Sequence, residues 1–425
     1  MLRKNRLAMR ILVACLMLVG LGLPAARRAG SASASGIGPV ANGALPGPFP
    51  LFPATNWWNL DITSWPLDPN SASYIAFINN GGTRKLHPDF GGDVSPGSTE
   101  IYGMPYAVVD GTQTKKAVQF LYSDESDGVD HTTNTSYPFY PIPDEAITQT
   151  HWIEGGWPGN QDFRSSNDRH LLIVDRDNKY LYELYNVFYD GTQWLGGSGA
   201  FFDMNTNNRR PDGWTSADAA GLAILPGLVR YDEVYGPDEI AHAFRFTVRA
   251  TNGYVYPASH RAGSTSGAPP MGTRLRLKAS KDISSFPADA QKIFRAMKKY
   301  GVILADNGSD MYITGTYDNR WNNSVLNPAF AGLTASDFEV IQLGYNPPAP
   351  TATATQNPVA TPTPTRTTTV TPPPPTATAT ATQPPPTPTP TLTATGAPTA
   401  TPTPTATPRH GRKKTPTVVT ARATF

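Results

Sequence analysis

Two β-hairpins in immediate succession, between Asp168 and Met204, constrain this chain more than any other stretch. His170 to Asp175 is a short apolar run, Asp177-Asn178 carries turn chemistry, and Tyr180 to Tyr189 is rich in aromatic and β-branched residues. Asp190-Gly191 then suits the positive φ angles of a type I′ turn, and Thr192 to Leu195 returns along the same strand. Adjacent hairpins require an antiparallel sheet. The expected fold is therefore mostly β, an antiparallel β-sandwich or jelly roll.

The turns also predict a register. With a two-residue turn at Asp177-Asn178, Asp175 faces Tyr180, Leu172 faces Glu183 and His170 faces Tyr185. Across Asp190-Gly191, Val187 faces Trp194 and Glu183 faces Ser198. Facing residues share a side of a sheet, as do residues two apart. One side then holds His170, Leu172, Val174, Leu181, Glu183, Tyr185, Val187, Trp194 and Ser198, and the other holds Leu171, Ile173, Tyr180, Tyr182, Leu184, Phe188 and Leu195. The second side reads as core and the first as a polar, aromatic groove on a concave sheet.

The ends of the 425-residue chain are of another kind. Met1 to Arg10 carries four positive charges, Ile11 to Pro24 is apolar but too short to span a membrane, and Ala32-Ser33-Ala34 fits a small-residue cleavage site. Residues 1–34 read as a secretory signal and 35–48 as a linker. Leu12-Val13-Ala14-Cys15 matches a lipoprotein acylation box in outline, but the apolar run follows the cysteine instead of preceding it. Residues 347–425 form a Thr/Pro-rich spacer, a composition that favours extended chain, with a basic end at Arg409, Arg412, Lys413 and Lys414. Cys15 is the sole cysteine and leaves with the signal, so neither disulfides nor thiolate chemistry are expected in the mature chain. No transmembrane segment is expected there either.

Each flank carries six basic and no acidic residues, so 23 of the 35 basic residues remain against all 33 acidic ones in the body 49–346. A body near −10 argues against nucleic acid as partner, which needs a basic footprint.

Along that body, Ser71 to Asn79 reads as a short helix, and Ile101 to Val109 with Lys116 to Tyr122 as strands joined by Asp110-Gly111. Asp124, Glu125, Asp127 and Asp130 crowd one loop and could hold a structural calcium, although the spacing is not that of a helix-loop-helix site and a solvated acidic loop explains them as well. No other cofactor is implied. Thr150 to Gly159 sets Trp152, Glu154 and Trp157 in a loop of the kind where ligand contacts concentrate, or where tryptophans cover a core edge. Trp214 to Gly221 reads as a capped short helix. Ala241 to Arg249 alternates as a strand, with Arg245 and Thr247 opposite Phe244 and Phe246. Val302 to Leu304 and Met311 to Thr314 read as strands joined by Asp306-Asn307-Gly308. One packed helix is expected at about 287–300, with Asp289 at its positive end, Lys298 and Lys299 at its negative end, and an apolar stripe of Ala290, Ile293, Phe294, Met297 and Tyr300.

The runs Leu86 to Gly91, Asp168-Arg169-His170, Trp214 to Gly221, Pro270-Met271-Gly272 and Tyr300 to Ser309 resemble those of a widespread, uncharacterised family of secreted bacterial proteins, over residues of about 55–345. The resemblance implies secretion and a shared fold, and it transfers no catalytic residue.

Several enzyme classes are excluded by absent motifs: Gly263 to Gly267 has threonine where a nucleophile elbow needs serine, and there is no His-Glu-x-x-His pair, phosphate loop or dinucleotide fingerprint. What remains is carboxylates, histidine and aromatic rings on a sheet, the chemistry of glycan recognition. Glycoside cleavage needs two carboxyl groups roughly 5 to 10 Å apart. Glu183 is the first candidate. Asp203 falls opposite Asn178, about 17 Å away by strand rise, so Glu154 or Asp168 is the better partner, with His170 tuning Glu183 or acting as base. Tyr185, Trp194, Trp152 and Trp157 are the expected sugar contacts. A buried Glu183–His170 pair that only specifies the fold accounts for the same residues. His87, Asp89, Asp218, His260 and Asp306 are lesser candidates, each beside turn residues. The expected function is a secreted glycoside hydrolase acting on an extracellular polysaccharide or cell-surface glycan; a noncatalytic glycan-binding or adhesion module and a polysaccharide lyase are the alternatives.

Overall fold

The computed structural model describes residues 38–346; the signal segment 1–34 with Cys15, and the spacer 347–425 with its basic end, lie outside the described residues. The body is mostly β with few helices. A five-stranded sheet runs in the order Val40–Ala41, Tyr106–Val109, Leu171–Asp175, Tyr180–Tyr185, Ser198–Asp203. A six-stranded sheet runs Phe338–Val340, Arg274–Leu277, Val302–Asn307, Phe244–Val248, Tyr312–Thr314, His87–Asp89. A small sheet joins Val118–Phe120, Trp194–Gly196 and Phe188–Tyr189. Among the described residues no helix is long and apolar enough to cross a membrane.

Most ladders are antiparallel, but Tyr106–Val109 runs parallel to Leu171–Asp175, Phe244–Val248 to Val302–Asn307, and Tyr312–Thr314 to His87–Asp89. Neither the Asp110-Gly111 nor the Asp306-Asn307-Gly308 turn closes a hairpin. Val118–Phe120 leaves for the small sheet, and the strands either side of Asp306 flank Phe244–Val248 instead of each other. Within the stretch 35–48, Val40–Ala41 forms an edge strand and Leu45 is buried.

The first central hairpin has the expected register, with Leu172 opposite Glu183 and Asp175 opposite Tyr180. The Asp175 carboxylate accepts the Asp177 and Asn178 N–H groups (both 3.1 Å), and Lys179 takes the left-handed position. The second register is two residues off: Ser198 faces Tyr185 and Ala200 faces Glu183, while Trp194 faces Tyr189. Asp190 is the cause. Its carboxylate accepts the N–H groups of Thr192 (2.8 Å) and Gln193 (2.9 Å), widening the turn by two residues. A slip of two changes partners but keeps faces, so the division into two sides holds from His170 to Tyr185 and at Ser198, but Val187 and Trp194, beyond the break at Asn186, join the opposite core. Asp203 now faces Tyr180.

Both sides of this sheet are covered. Leu172, Val174, Leu181 and Ala200 pack with Ile224, Leu225 and Leu228, and Leu171, Ile173, Tyr182 and Leu184 pack with Tyr140, Ile142 and Ile153. The expected concave groove is thus filled by chain. The six-stranded sheet rests its apolar side, including Phe244, Phe246 and Leu304, in one core with the helix Ala288–Lys299, which buries Ala290, Ile293, Phe294 and Met297. Ser71–Asn79 is helical as expected. Trp214 to Gly221 is not: Ser216 Oγ accepts the Asp218 N–H (2.9 Å) and donates to Leu222 O (2.6 Å), so a side chain takes the bonds a helix would have made.

Candidate functional site

A cleft of about 500 Å³ opens between the two large sheets, walled by Tyr122, Glu125, Asp168, His170, Tyr185, Ser198, Ser216, His260, Asp306 and Asn307 among others. The six-stranded sheet supplies one wall through a polar row. Arg245 is level with Thr314, and Thr314 pairs with Asp89, so the three side chains share a face. Asp306 reaches that face by an irregularity. Phe246 pairs with Leu304 but Thr247 with Asp306, which leaves Ala305 as an extra residue. Without this bulge the strict alternation of the strand would turn Asp306 into the apolar core.

Arg245 is the hub of the row and is almost fully buried. Nε and Nη2 donate to the two oxygens of Asp218 (2.7 and 2.8 Å), Nη2 also to Asp306 Oδ2 (3.1 Å), and Nη1 to Thr314 Oγ1 (2.8 Å). Burial works against its charge, and the Asp218 carboxylate overrides that, so its pKa is raised. Asp306 is pushed up to about 6 by burial, against the pull of Arg245 and with the charges of Asp218 and Asp168 adding to the rise.

The five-stranded sheet supplies the other wall at the entry to Leu171–Asp175. Arg169, at positive φ, turns inward, where its buried guanidinium donates to Trp157 O (2.7 Å) and Pro158 O (2.8 Å). Its neighbours Asp168 and His170 line the cleft. Burial lowers the affinity of His170 for a proton, but Glu154 at 2.6 Å from Nδ1 raises it to about 9. His170 Nε2 lies 3.0 Å from Ala217 O. Both ring nitrogens therefore meet acceptors, the pattern of an imidazolium donating twice. The Asp168 carboxylate is exposed and meets no donor among the described residues.

Of the residues expected from sequence, His170, Asp168 and Tyr185 are brought together, with the His170 and Tyr185 rings 5.5 Å apart. Glu154 stands behind His170 as its ion partner. Glu183 shares their face of the sheet but is fully buried, accepting the N–H groups of Ile224 (2.8 Å) and Leu225 (2.9 Å). Burial raises its pKa to about 7 despite those donors.

Trp194 leaves the sheet because Asn186 at positive φ breaks the strand, and it is buried in the core on the opposite side. Trp152 lies in that same core, and Trp157 stacks on Phe163 at 4.2 Å. The acidic loop is engaged piecemeal: Glu125 accepts the Thr215 N–H, Asp127 pairs with Arg210, and Asp130 accepts the Thr132 N–H. Among the described residues no group of His, Cys, Asp and Glu is arranged to hold a metal ion.

Asp306, Asp218 and Asp89 stood in the sequence as lesser candidates beside turn residues, and Arg245 only as a strand residue. The signal was an arginine between Phe244 and Phe246 on a strand buried along its length, since a charge so placed must be paired. No protein-family model, no curated protein and no solved structure matches this chain.

Proposed function

We propose that the chain is a hydrolase that cuts an extracellular glycan, with Asp306 as the proton donor and Asp168 as the second carboxylate. The proposal rests on one feature of the cleft, a half-buried carboxyl and a solvent-open one within reach of each other's charge. Asp306 is raised to about 6, so that near and below that pH it carries a proton to give to a leaving oxygen, while Asp168 is open to solvent.

The other walls support the same substrate class. Tyr122 and Tyr185 offer rings to the C–H faces of sugars, and Ser198 and Asn307 offer polar edges. No lysine or arginine is among the lining residues, which favours neutral over anionic polysaccharides. His170 serves as a fixed positive charge instead of a base, because both nitrogens are committed. Secretion, inferred from the residues 1–34, belongs to the same proposal. Three of the runs that carry the family resemblance supply lining residues, which makes the cleft the site such a family would share.

The test is release of reducing ends from a panel of neutral polysaccharides by the full chain and by Asp306→Asn. Release by the native chain, lost by at least a hundredfold in the variant with the fold intact, is the expected result. Binding without release by the native chain would replace hydrolysis by the noncatalytic glycan-binding alternative, and unchanged release by Asp306→Asn would remove Asp306 from the chemistry.

A further inference from the structure

The polar row does not stop at Arg245. Beyond Thr314 it reaches Asp89 on the edge strand His87–Asp89, which the stacking of His87 on Tyr312 (4.3 Å) holds against its neighbour. Asp89 is exposed, yet the protein crowded about it raises its carboxyl, with the Glu154 charge adding and Arg245 opposing. It stands on the face that carries Arg245 and Thr314, beside the residues that line the cleft and not among them. No hydrogen bond or ion pair reaches its carboxylate among the described residues. Arg245, the nearest cation in the row, has Nε, Nη1 and Nη2 all committed elsewhere.

We propose that Asp89 is a second ligand-binding residue, accepting hydrogen bonds from the hydroxyls of a sugar ring away from the bond that is cut. The inference rests on the glycan reading above and extends it along the row from Asp306 to Asp89. The chemistry selects the ligand group. An acceptor without a donor, beside a second carboxylate, takes hydroxyl hydrogens and rejects acidic substituents. Uronic acids are therefore excluded at this position, and a neutral hexose, pentose or N-acetylhexosamine is admitted.

The experiment compares the full chain with Asp89→Ala and Asp89→Asn on soluble β-1,4-linked hexasaccharides of glucose, xylose, mannose and N-acetylglucosamine. Calorimetric binding is read beside turnover. On whichever hexasaccharide the native chain binds, Asp89→Ala weakens binding and raises KM about tenfold, the loss of one hydrogen bond to a charged group. Its kcat stays within about twofold, and Asp89→Asn, which keeps an acceptor oxygen, recovers most of the affinity.

A purely structural role would lower Tm and spare KM, which overturns the assignment, as does loss of kcat with KM intact. Binding that depends on Asp89 without any cleavage upholds Asp89 and sinks hydrolysis. Cleavage that ignores Asp89 does the reverse. A chain that neither binds nor cuts any of the four removes both.

Discussion

Glu183, fully buried, and Asp306, half-buried, are two carboxyls that the surrounding protein lifts to about 7 and about 6, and they stand in different sheets. Glu183 lies mid-strand where chain covers both faces, and its oxygens are capped by the N–H groups of Ile224 and Leu225. Asp306 lies one step past a bulge and lines the cleft, with Arg245 on Oδ2 and the Asn307 N–H on Oδ1 (2.7 Å). The same shift therefore accompanies two different jobs. In the five-stranded sheet a carboxyl fastens the turn at Leu225 to the strand beneath it. In the six-stranded sheet a carboxyl of similar acidity is offered to a ligand. Access, more than acidity, separates them.

The largest contrast should appear in turnover. Asp306→Asn should lose roughly 10²- to 10⁴-fold in kcat, whereas Glu183→Gln should stay within about threefold, as measured by reducing-end release. A Glu183→Gln protein that keeps its fold and loses its activity would break the comparison outright. Next is the pair behind Asp306. Asp218→Asn leaves Arg245 buried with a single carboxylate partner, a change that costs about 3–5 kcal/mol and should lower Tm by roughly 10 °C in a thermal scan. With Asp218 neutral, one charge that raises Asp306 is gone, so the alkaline limb of the pH–rate profile, where the proton donor is lost, should move below 6.

How much of this could be read from residues alone differs between the sheets. The Asp175 turn, the helix Ala288–Lys299 and the two-sided division of the first central hairpin follow from local patterns, because a turn or a helical stripe is encoded by neighbours in sequence. The cleft depends on partners far apart. Asp306 faces it only because Ala305 is unpaired against a strand some sixty residues earlier, and Asp218 belongs to it through Arg245, which lies in another element. Neither fact has a local signature. Glu183 shows the converse. Its face was legible, but its cover, the turn at Ile224 and Leu225, comes from forty residues downstream.

Stability against pH sharpens the contrast further. Glu183 is raised from its unfolded value of 4.5 to about 7, so the folded state holds the extra proton and stability falls as pH rises through 4.5 to 7. His170 is raised from 6.5 to about 9, so its contribution is complete below 6.5 and is lost as pH rises through 9. Each is on the order of 3 kcal/mol across its window. Chemical denaturation at stepped pH should show a decline in two stages. Glu183→Gln should flatten the lower stage except for what Asp306 adds, and His170→Asn the upper one; a lower stage untouched by Glu183→Gln would mean that Glu183 is already ionised in the native protein.

The smallest effect tests whether the row acts as a unit. Thr314 is buried and gives Arg245 Nη1 its only oxygen among the described residues, and valine matches its shape while removing that acceptor. Thr314→Val should cost about 2 kcal/mol in stability, the usual loss for a hydrogen bond to a charged group. Arg245 remains held by both oxygens of Asp218, so Asp306 should keep its place and kcat should fall less than tenfold. If Thr314→Val instead lowers turnover as far as Asp306→Asn while the fold survives, the alignment of the guanidinium across all its partners is what the chemistry needs. The distinction between the sheets would then lie in the rigidity of the row, and access would be secondary.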